Sequence, residues 1–229
     1  MQSKNALKDT RDPATQPSAS REPEAGSRSI LRRQALKTLQ DAGVLMRQGH
    51  FDYGNGFHGR MYLNPHQLFR YPSTIWHLAQ DLLDVLPGEL LERTEVVAGP
   101  VTGGALLAHT LAGLLDGRRA LTHPPCSFAP FTMFDGTIAL KGFYADSMRG
   151  KRVLLADDVR NTGKTFEQCA ALIRQAGGIV LATAEICDRL EAVTDAGVPN
   201  YSLAEYRASE NFTAAECPMC KAGEAITSF

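Results

Sequence analysis

Residues Val153 to Ala156 form a short apolar run that passes directly into two adjacent carboxylates, Asp157 and Asp158, and then into Val159-Arg160-Asn161-Thr162-Gly163-Lys164-Thr165. An apolar run of this length suits a strand buried on both faces, as in a parallel sheet. The spacing predicts a helix from Phe166 to Gln175, whose first amides lie beside Gly163 and the hydroxyls of Thr162 and Thr165. Strand, polar loop and helix together make an anion cradle with carboxylates at its side. A ligand bearing both a phosphate and vicinal hydroxyls satisfies both halves, since amides donate to phosphate and carboxylates accept from hydroxyls. The plain alternative is a strand-loop-helix connection with a polar tip. A Walker loop is not formed, because Asp158 stands where the first glycine of Gly-x-x-x-x-Gly-Lys-Ser/Thr belongs.

The rest of the chain repeats the alternation of strand and helix. Residues 1–28 are rich in Ser, Pro, Lys, Glu and Gln and are expected to be a disordered leader, with one domain over residues 29–229. Ile30 to Ala42 reads as a helix closed by Gly43. The glycines between Gly49 and Tyr62 mark turns between short strands, which would form a small N-terminal hood. Ser73 is expected to cap a helix carrying Ile75, Leu78, Ala79, Leu82, Leu83 and Leu86 at helical spacing, ending before Pro87-Gly88. Then follow a strand Val96 to Ala98, a glycine-rich loop, a helix Ala105 to Leu115, a strand near Ala120 and an irregular segment. Beyond Val153 to Ala156 and the helix after it comes a strand from Ile179 to Glu185. Such alternation implies an α/β fold, a mostly parallel sheet flanked by helices, with ligands at the carboxyl ends of its strands. No internal repeat is present.

Composition narrows the partners. The 229 residues carry a formal net charge of -1, so no overall positive field recommends nucleic acid or an anionic membrane, and anions must be bound locally. No stretch reaches the roughly 20 apolar residues of a membrane span, and the N-terminus lacks the order of a signal peptide. A cytoplasmic protein is expected. Five cysteines, Cys126, Cys169, Cys187, Cys217 and Cys220, suit a reducing compartment better than a disulfide framework, so the Asn211-Phe212-Thr213 sequon is expected to be silent.

The segment Val153 to Thr165 resembles the phosphoribosyl diphosphate fingerprint of type I phosphoribosyltransferases. Two further segments are similar to the orotate branch of that family. They are Gly49-His50-Phe51 with Gly54, Gly56, His58 and Tyr62, which resembles its N-terminal signature, and Val97 to Gly104, which resembles its diphosphate loop. Asp188-Arg189 and Cys217-Pro218-Met219-Cys220-Lys221-Ala222-Gly223 also recur in some members. The resemblance implies the type I fold and transfer of a 5-phosphoribosyl group from phosphoribosyl diphosphate to a nitrogenous base, orotate or a related pyrimidine. It implies that Asp157 and Asp158 bind the ribose hydroxyls, directly or through magnesium, and are the catalytic carboxylates. By the same resemblance Val159, Arg160, Asn161, Thr162, Gly163, Lys164 and Thr165 hold the 5-phosphate. Thr102, Gly103 and Gly104 would then receive the diphosphate, and Arg189, Asn161 and Phe51 the base, in a homodimer.

The pattern departs from that branch in two places. Orotate phosphoribosyltransferases commonly carry a mobile loop with arginine, lysines and histidine, whereas the comparable residues Ser127 to Gly142 hold one lysine, Lys141. Lys164, Arg160, Lys141, Arg149 or Arg118-Arg119 are the candidate substitutes. Arg160 and Asn161 also stand where an apolar residue and a threonine are usual. A phosphoribosyl diphosphate-binding regulator with little or no catalysis is therefore the alternative reading. Cys217-x-x-Cys220 has half of a zinc-site spacing but no second pair along the chain, and the six histidines show no ligand spacing, so metal is not expected there.

Overall fold

A computed structural model of the chain describes residues 25–53, 56–119, 122–208 and 210–227. The expected leader lies largely outside these residues, as does the centre of the strand expected near Ala120. The first half of the chain runs α1 (Ala25–Asp41), β1 (Leu45–Asp52), β2 (Phe57–Leu63), α2 (His66–Phe69), α3 (Pro72–Val85), α4 (Gly88–Arg93), β3 (Val96–Pro100) and α5 (Gly103–Arg118). The second half runs β4 (Ser127–Phe134), β5 (Thr137–Ala139), α6 (Gly142–Met148), β6 (Arg152–Arg160), α7 (Lys164–Gln175), β7 (Ile179–Asp188), β8 (Asn200–Glu205), β9 (Phe212–Thr213) and α8 (Pro218–Lys221).

Six strands form the central sheet in the order β5-β4-β3-β6-β7-β8. All neighbours pair in parallel except the edge hairpin β4-β5. Strand β6 lies inside the sheet and alternates its side chains between two apolar layers. Leu154 and Ala156 pack with Leu39, Leu78, Leu82, Leu107 and Leu111 on one face. Val153 and Leu155 pack with Phe131, Met148, Phe166 and Ile173 on the other. Burial on both faces explains the unbroken apolar run that precedes the acidic pair. A second sheet, ordered β1-β2-β9, is the hood, built from the N-terminal hairpin and a two-residue strand from near the C-terminus.

Several boundaries differ from the sequence reading. Helix α1 begins at Ala25 rather than Ile30. Helix α3 is capped by Tyr71 with Pro72 in its first turn, not by Ser73. The fixed φ of proline suits the first helical position, where its missing N–H costs no bond. Strand β6 does not stop at Ala156: Asp157, Val159 and Arg160 stay in register with Glu185, Cys187 and Asp188 of β7. The segment read as irregular holds the β4-β5 hairpin and α6. Ser127 donates to Glu95 O and Phe131 O accepts from Val101, so odd-numbered residues of β4 face β3. Pro130 therefore turns its missing N–H toward the sheet edge, where proline is tolerated. Asp135 (φ 47°) and Gly136 (φ 73°) both adopt the positive φ that a tight hairpin turn demands.

Candidate active site

The carboxyl ends of β3 and β6 lie side by side, and the loops leaving them meet. On the β6 side, Asp158 N donates to Asp157 Oδ1 at 2.9 Å and Val159 N to Asp158 Oδ1 at 2.9 Å, which fixes both carboxyl groups against the backbone. Burial, and then the charge of Asp158, raises the Asp157 carboxyl well above the usual carboxylate range. Glu185, level with Asp157 on β7, is fully buried, and burial pushes its carboxyl up to about 8 against the hydrogen bond from Asn200. Its Oε1 accepts from Asn200 Nδ2 at 2.8 Å, while Oε2 has no partner among the described residues.

The start of α5 rests on these carboxyl groups. A Cβ on Gly103 would overlap Asp158 Oδ2, and one on Gly104 would lie 2.6 Å from Asp157 Oδ1. Only glycine allows this approach. The turn entering α5 contains a cis peptide bond between Val101 and Thr102. On the other side, Gly163 at the start of α7 has φ 85°, and a Cβ there would overlap Thr194 O. The first backbone donors of α7 have no intrahelical acceptor, which leaves them for a ligand at the helix start.

Two cavities result. One, of 230 Å³, is lined by Tyr53, Asp157 and the whole run from Val159 to Phe166. The other, of 390 Å³, is lined by residues that include Thr102, Gly103, Asp157, Asp158 and Thr165. Asp157 and Thr165 line both, so the cavities adjoin across the acidic pair.

The structure thus brings together Asp157, Asp158, the 159–165 loop, Thr102 and Gly103, with Gly104 packed against Asp157. Arg189 is 4% exposed, not a solvated surface residue. Its Nη1 donates to Asn161 Oδ1 at 3.3 Å and its Nη2 to Glu191 Oε1 at 3.0 Å. Its guanidinium lies 4.3 Å from the centre of the Tyr53 ring. Phe51 does not join them. It is 1% exposed, packed against Tyr62 inside the hood, with its ring folded over Gly49. Tyr53, one residue past the end of β1, is the hood aromatic that reaches the cavity, held there by an Oη hydrogen bond to Met61 O of 2.6 Å.

The candidate cations separate as clearly. Arg118 and Arg119 sit at the far end of α5, about 24 Å from Gly103 at 1.5 Å per residue. There they are bound to Asp84 and to the carbonyls of Leu91 and Thr94. Arg149 precedes β6, at the end of the sheet opposite the carboxylates. Arg160 pairs with Asp188 at 3.1 Å. Lys164, exposed at the start of α7 and lining the smaller cavity, has no ion-pair partner among the described residues.

A second cluster was not visible along the chain. The β1-β2 hairpin brings His50 and His58 beside Cys217 and Cys220, a grouping that the sequence spacing did not reveal.

No protein-family model matches the chain. It is 32% identical over 179 residues to an orotate phosphoribosyltransferase of Caldanaerobacter subterraneus subsp. tengcongensis, across 78% of this chain and 87% of that protein. It is 30% identical over 192 residues to one from Acidithiobacillus ferrooxidans, across 83% of this chain and 92% of that protein. The crystal structure of orotate phosphoribosyltransferase from Aeropyrum pernix matches with a TM-score of 0.58 at 26% identity, over 74% of this chain and 92% of that one. An adenine phosphoribosyltransferase from Thermoanaerobacter pseudethanolicus shares the fold at 18% identity, with a TM-score of 0.55 over 75% of this chain and 99% of that one. The glycine turn seated on paired carboxylates lies within a fold shared with these proteins, and the chain belongs to the orotate phosphoribosyltransferase family.

Proposed function

We propose that the protein transfers a 5-phosphoribosyl group from phosphoribosyl diphosphate to a ring nitrogen of orotate or a related pyrimidine, releasing diphosphate. The observation that carries this reading is the seating of Gly103 and Gly104 on Asp158 and Asp157, which joins two cavities across one acidic pair. A sugar with a phosphate at one end and a diphosphate at the other suits such a space. The amides of α7 would take the 5-phosphate, the turn into α5 the diphosphate, and the carboxylates the hydroxyls between them.

The bond from C1 to the diphosphate oxygen breaks with its electron pair leaving on oxygen, while the ring nitrogen gives up its proton to solvent and forms the new bond to C1. No residue need bond covalently to the sugar. The chain's contribution is to align donor and acceptor and to place the Asp158 carboxylate, with Asp157 beside it, near a sugar that gains positive character. The donor set suits magnesium: Asp157 and Asp158 both line the larger cavity, and hard divalent ions prefer such oxygens. When bound there, magnesium would neutralise charge on the departing diphosphate. Lys164 would add a positive charge from the chain itself. Arg189, Asn161 and Tyr53 would receive the base, with Arg189 held in place by Glu191.

A homodimer is supported by Met133 and Phe134, apolar residues exposed at the tip of the β4-β5 hairpin. Met133 also lines the larger cavity, so a partner covering the tip would close that lobe. Among the described residues no helix is long and apolar enough to cross a membrane. All five cysteines are free, which favours action in the reducing cytoplasm.

Diphosphate release with phosphoribosyl diphosphate, magnesium and a panel of orotate, uracil and purine bases tests the proposal. Turnover with orotate is expected. Binding of phosphoribosyl diphosphate without turnover on any base would replace it with the regulatory reading.

A further inference from the structure

Four side chains of metal-binding type converge where the hood meets the C-terminal segment, outside the residues that line the two cavities. His50 lies on β1, His58 on β2, and Cys217 and Cys220 at the start of and within α8. Their donor atoms all lie within 4.8 Å of one another. His50 Nε2 is 2.9 Å from His58 Nδ1, 3.6 Å from Cys217 Sγ and 3.5 Å from Cys220 Sγ, and His58 Nδ1 is 3.2 Å from Cys220 Sγ. A zinc tetrahedron with two nitrogens and two sulfurs has edges of roughly 3.3 Å between nitrogens, 3.6 Å between nitrogen and sulfur and 3.8 Å between sulfurs. These four spacings match within a few tenths of an ångström.

The far sides of both rings are arranged to suit ligation. His50 Nδ1 lies 2.8 Å from Glu224 O. A carbonyl only accepts, so Nδ1 carries the proton and Nε2 of the neutral ring turns its lone pair to the cluster. His58 Nε2 faces Asp52 Oδ1 at 3.8 Å, leaving Nδ1 as the inward atom. Outer partners of this kind, a backbone carbonyl and a carboxylate, orient histidines that bind metals. His50, His58 and Cys217 are buried, so the convergence is not a surface coincidence. Packing alone gives no reason for two inward imidazole nitrogens and two thiols to meet at one point.

We propose that His50, His58, Cys217 and Cys220 form a closed tetrahedral zinc site that fastens the hood to the C-terminal segment. Two imidazoles and two thiolates favour zinc over the hard ions that suit the active-site carboxylates. With all four positions filled by protein, the ion has a structural role. Without it, the hood and the C-terminal segment are joined by modest contacts: a two-residue pairing of β2 with β9 and single bonds such as Thr227 N to His50 O. His50 and His58 flank Tyr53 in sequence, so zinc would hold rigid the piece of hood that reaches the small cavity.

Metal content of tag-free protein purified without chelator tests the site. One zinc per chain is expected, falling below about a tenth in the Cys217→Ser, Cys220→Ser double variant. Cobalt in place of zinc should give the intense visible bands of a tetrahedral ion together with a thiolate charge-transfer band. Asp52→Asn, which leaves all four ligands in place, should weaken zinc affinity about 10–100-fold, read by competition with a chromophoric chelator. The proposal is overturned if wild-type protein resupplied with zinc retains none after gel filtration. A weak octahedral cobalt spectrum, or a Cys217–Cys220 disulfide in the native protein, would overturn it equally. None of these readouts depends on turnover, so the site stands or falls separately from the transferase reading.

Discussion

The guanidinium of Arg189 lies 4.3 Å above the ring of Tyr53, so a residue that follows the last part of β7 is stacked beneath the hood. With its two hydrogen bonds to Asn161 and Glu191, Arg189 is held on three sides beside the 159–165 loop. Lysine can supply the charge but not the planar fork. Arg189→Lys should therefore raise the KM for the base about tenfold or more, since a charge-assisted hydrogen bond contributes roughly 1.5–3 kcal/mol. Phosphoribosyl diphosphate affinity should change little. Steady-state kinetics with each substrate varied separately checks this, and an equal effect on both would place Arg189 elsewhere.

Gly103→Ala forces a methyl group onto Asp158 Oδ2 and the Phe69 ring. Because the clash meets a carboxyl group held by the β6 backbone, relief must come from displacing the turn. Activity is expected to fall by about two orders of magnitude, as small misplacements in a positioned site do. Melting temperature should move by only a few degrees. Wild-type turnover in this variant would show that the turn does not face the reacting groups.

Lys164 lines the smaller cavity and has no ion-pair partner among the described residues, which leaves its charge for a ligand there. Lys164→Gln retains length and polarity and removes the charge. A drop of about 10–100-fold in kcat/KM for phosphoribosyl diphosphate is expected, with base KM unaffected, because a charge-assisted contact to the 5-phosphate in a confined site is lost. Retained activity would point to a cation contributed by a second subunit.

Glu185 gives stability a definite dependence on pH. Its carboxyl titrates near 8 in the fold, while an exposed glutamate titrates at about 4.3. The folded state therefore holds the proton more tightly, and this contribution is complete below the unfolded value and lost as pH rises toward 8. Glu185→Gln keeps the Oε1 acceptor for Asn200 and cannot ionise. Thermal melts should show it more stable than the parent at pH 8 and nearly equal at pH 5. A variant less stable at pH 8 would mean that Glu185 is charged in the fold.

How much of this could be read along the chain depends on whether neighbours in sequence are neighbours in space. The cradle was legible because β6, its loop and α7 are contiguous, so apolar run, carboxylates and glycine appear in working order. The Gly103-Gly104 turn was legible for the same reason, although its seating on Asp157 and Asp158 required the parallel register of β3 with β6. Hairpin β4-β5 was obscured by Pro130, which reads as a breaker unless one knows that its nitrogen faces an edge. The Asp135-Gly136 pair was the available signal. Phe51 and Tyr53 look equivalent in sequence, but Phe51 belongs to the paired part of β1 and packs inward. The His50, His58, Cys217, Cys220 cluster depends on hood pairing across more than 150 residues of chain, which no spacing rule reports.

The central claim is that the Asp157-Asp158 pair beneath the glycine turn is where phosphoribosyl diphosphate reacts with a pyrimidine. Diphosphate release from orotate and phosphoribosyl diphosphate, measured side by side for the wild-type protein and Asp158→Asn, tests it most directly. The variant keeps the side chain's size and removes one negative charge. The account predicts magnesium-dependent turnover by the wild-type protein and a loss of about 100-fold or more in the variant, in line with the removal of a group acting on the transition state. Equal turnover by the two proteins, or none by the wild type on any base, would contradict it.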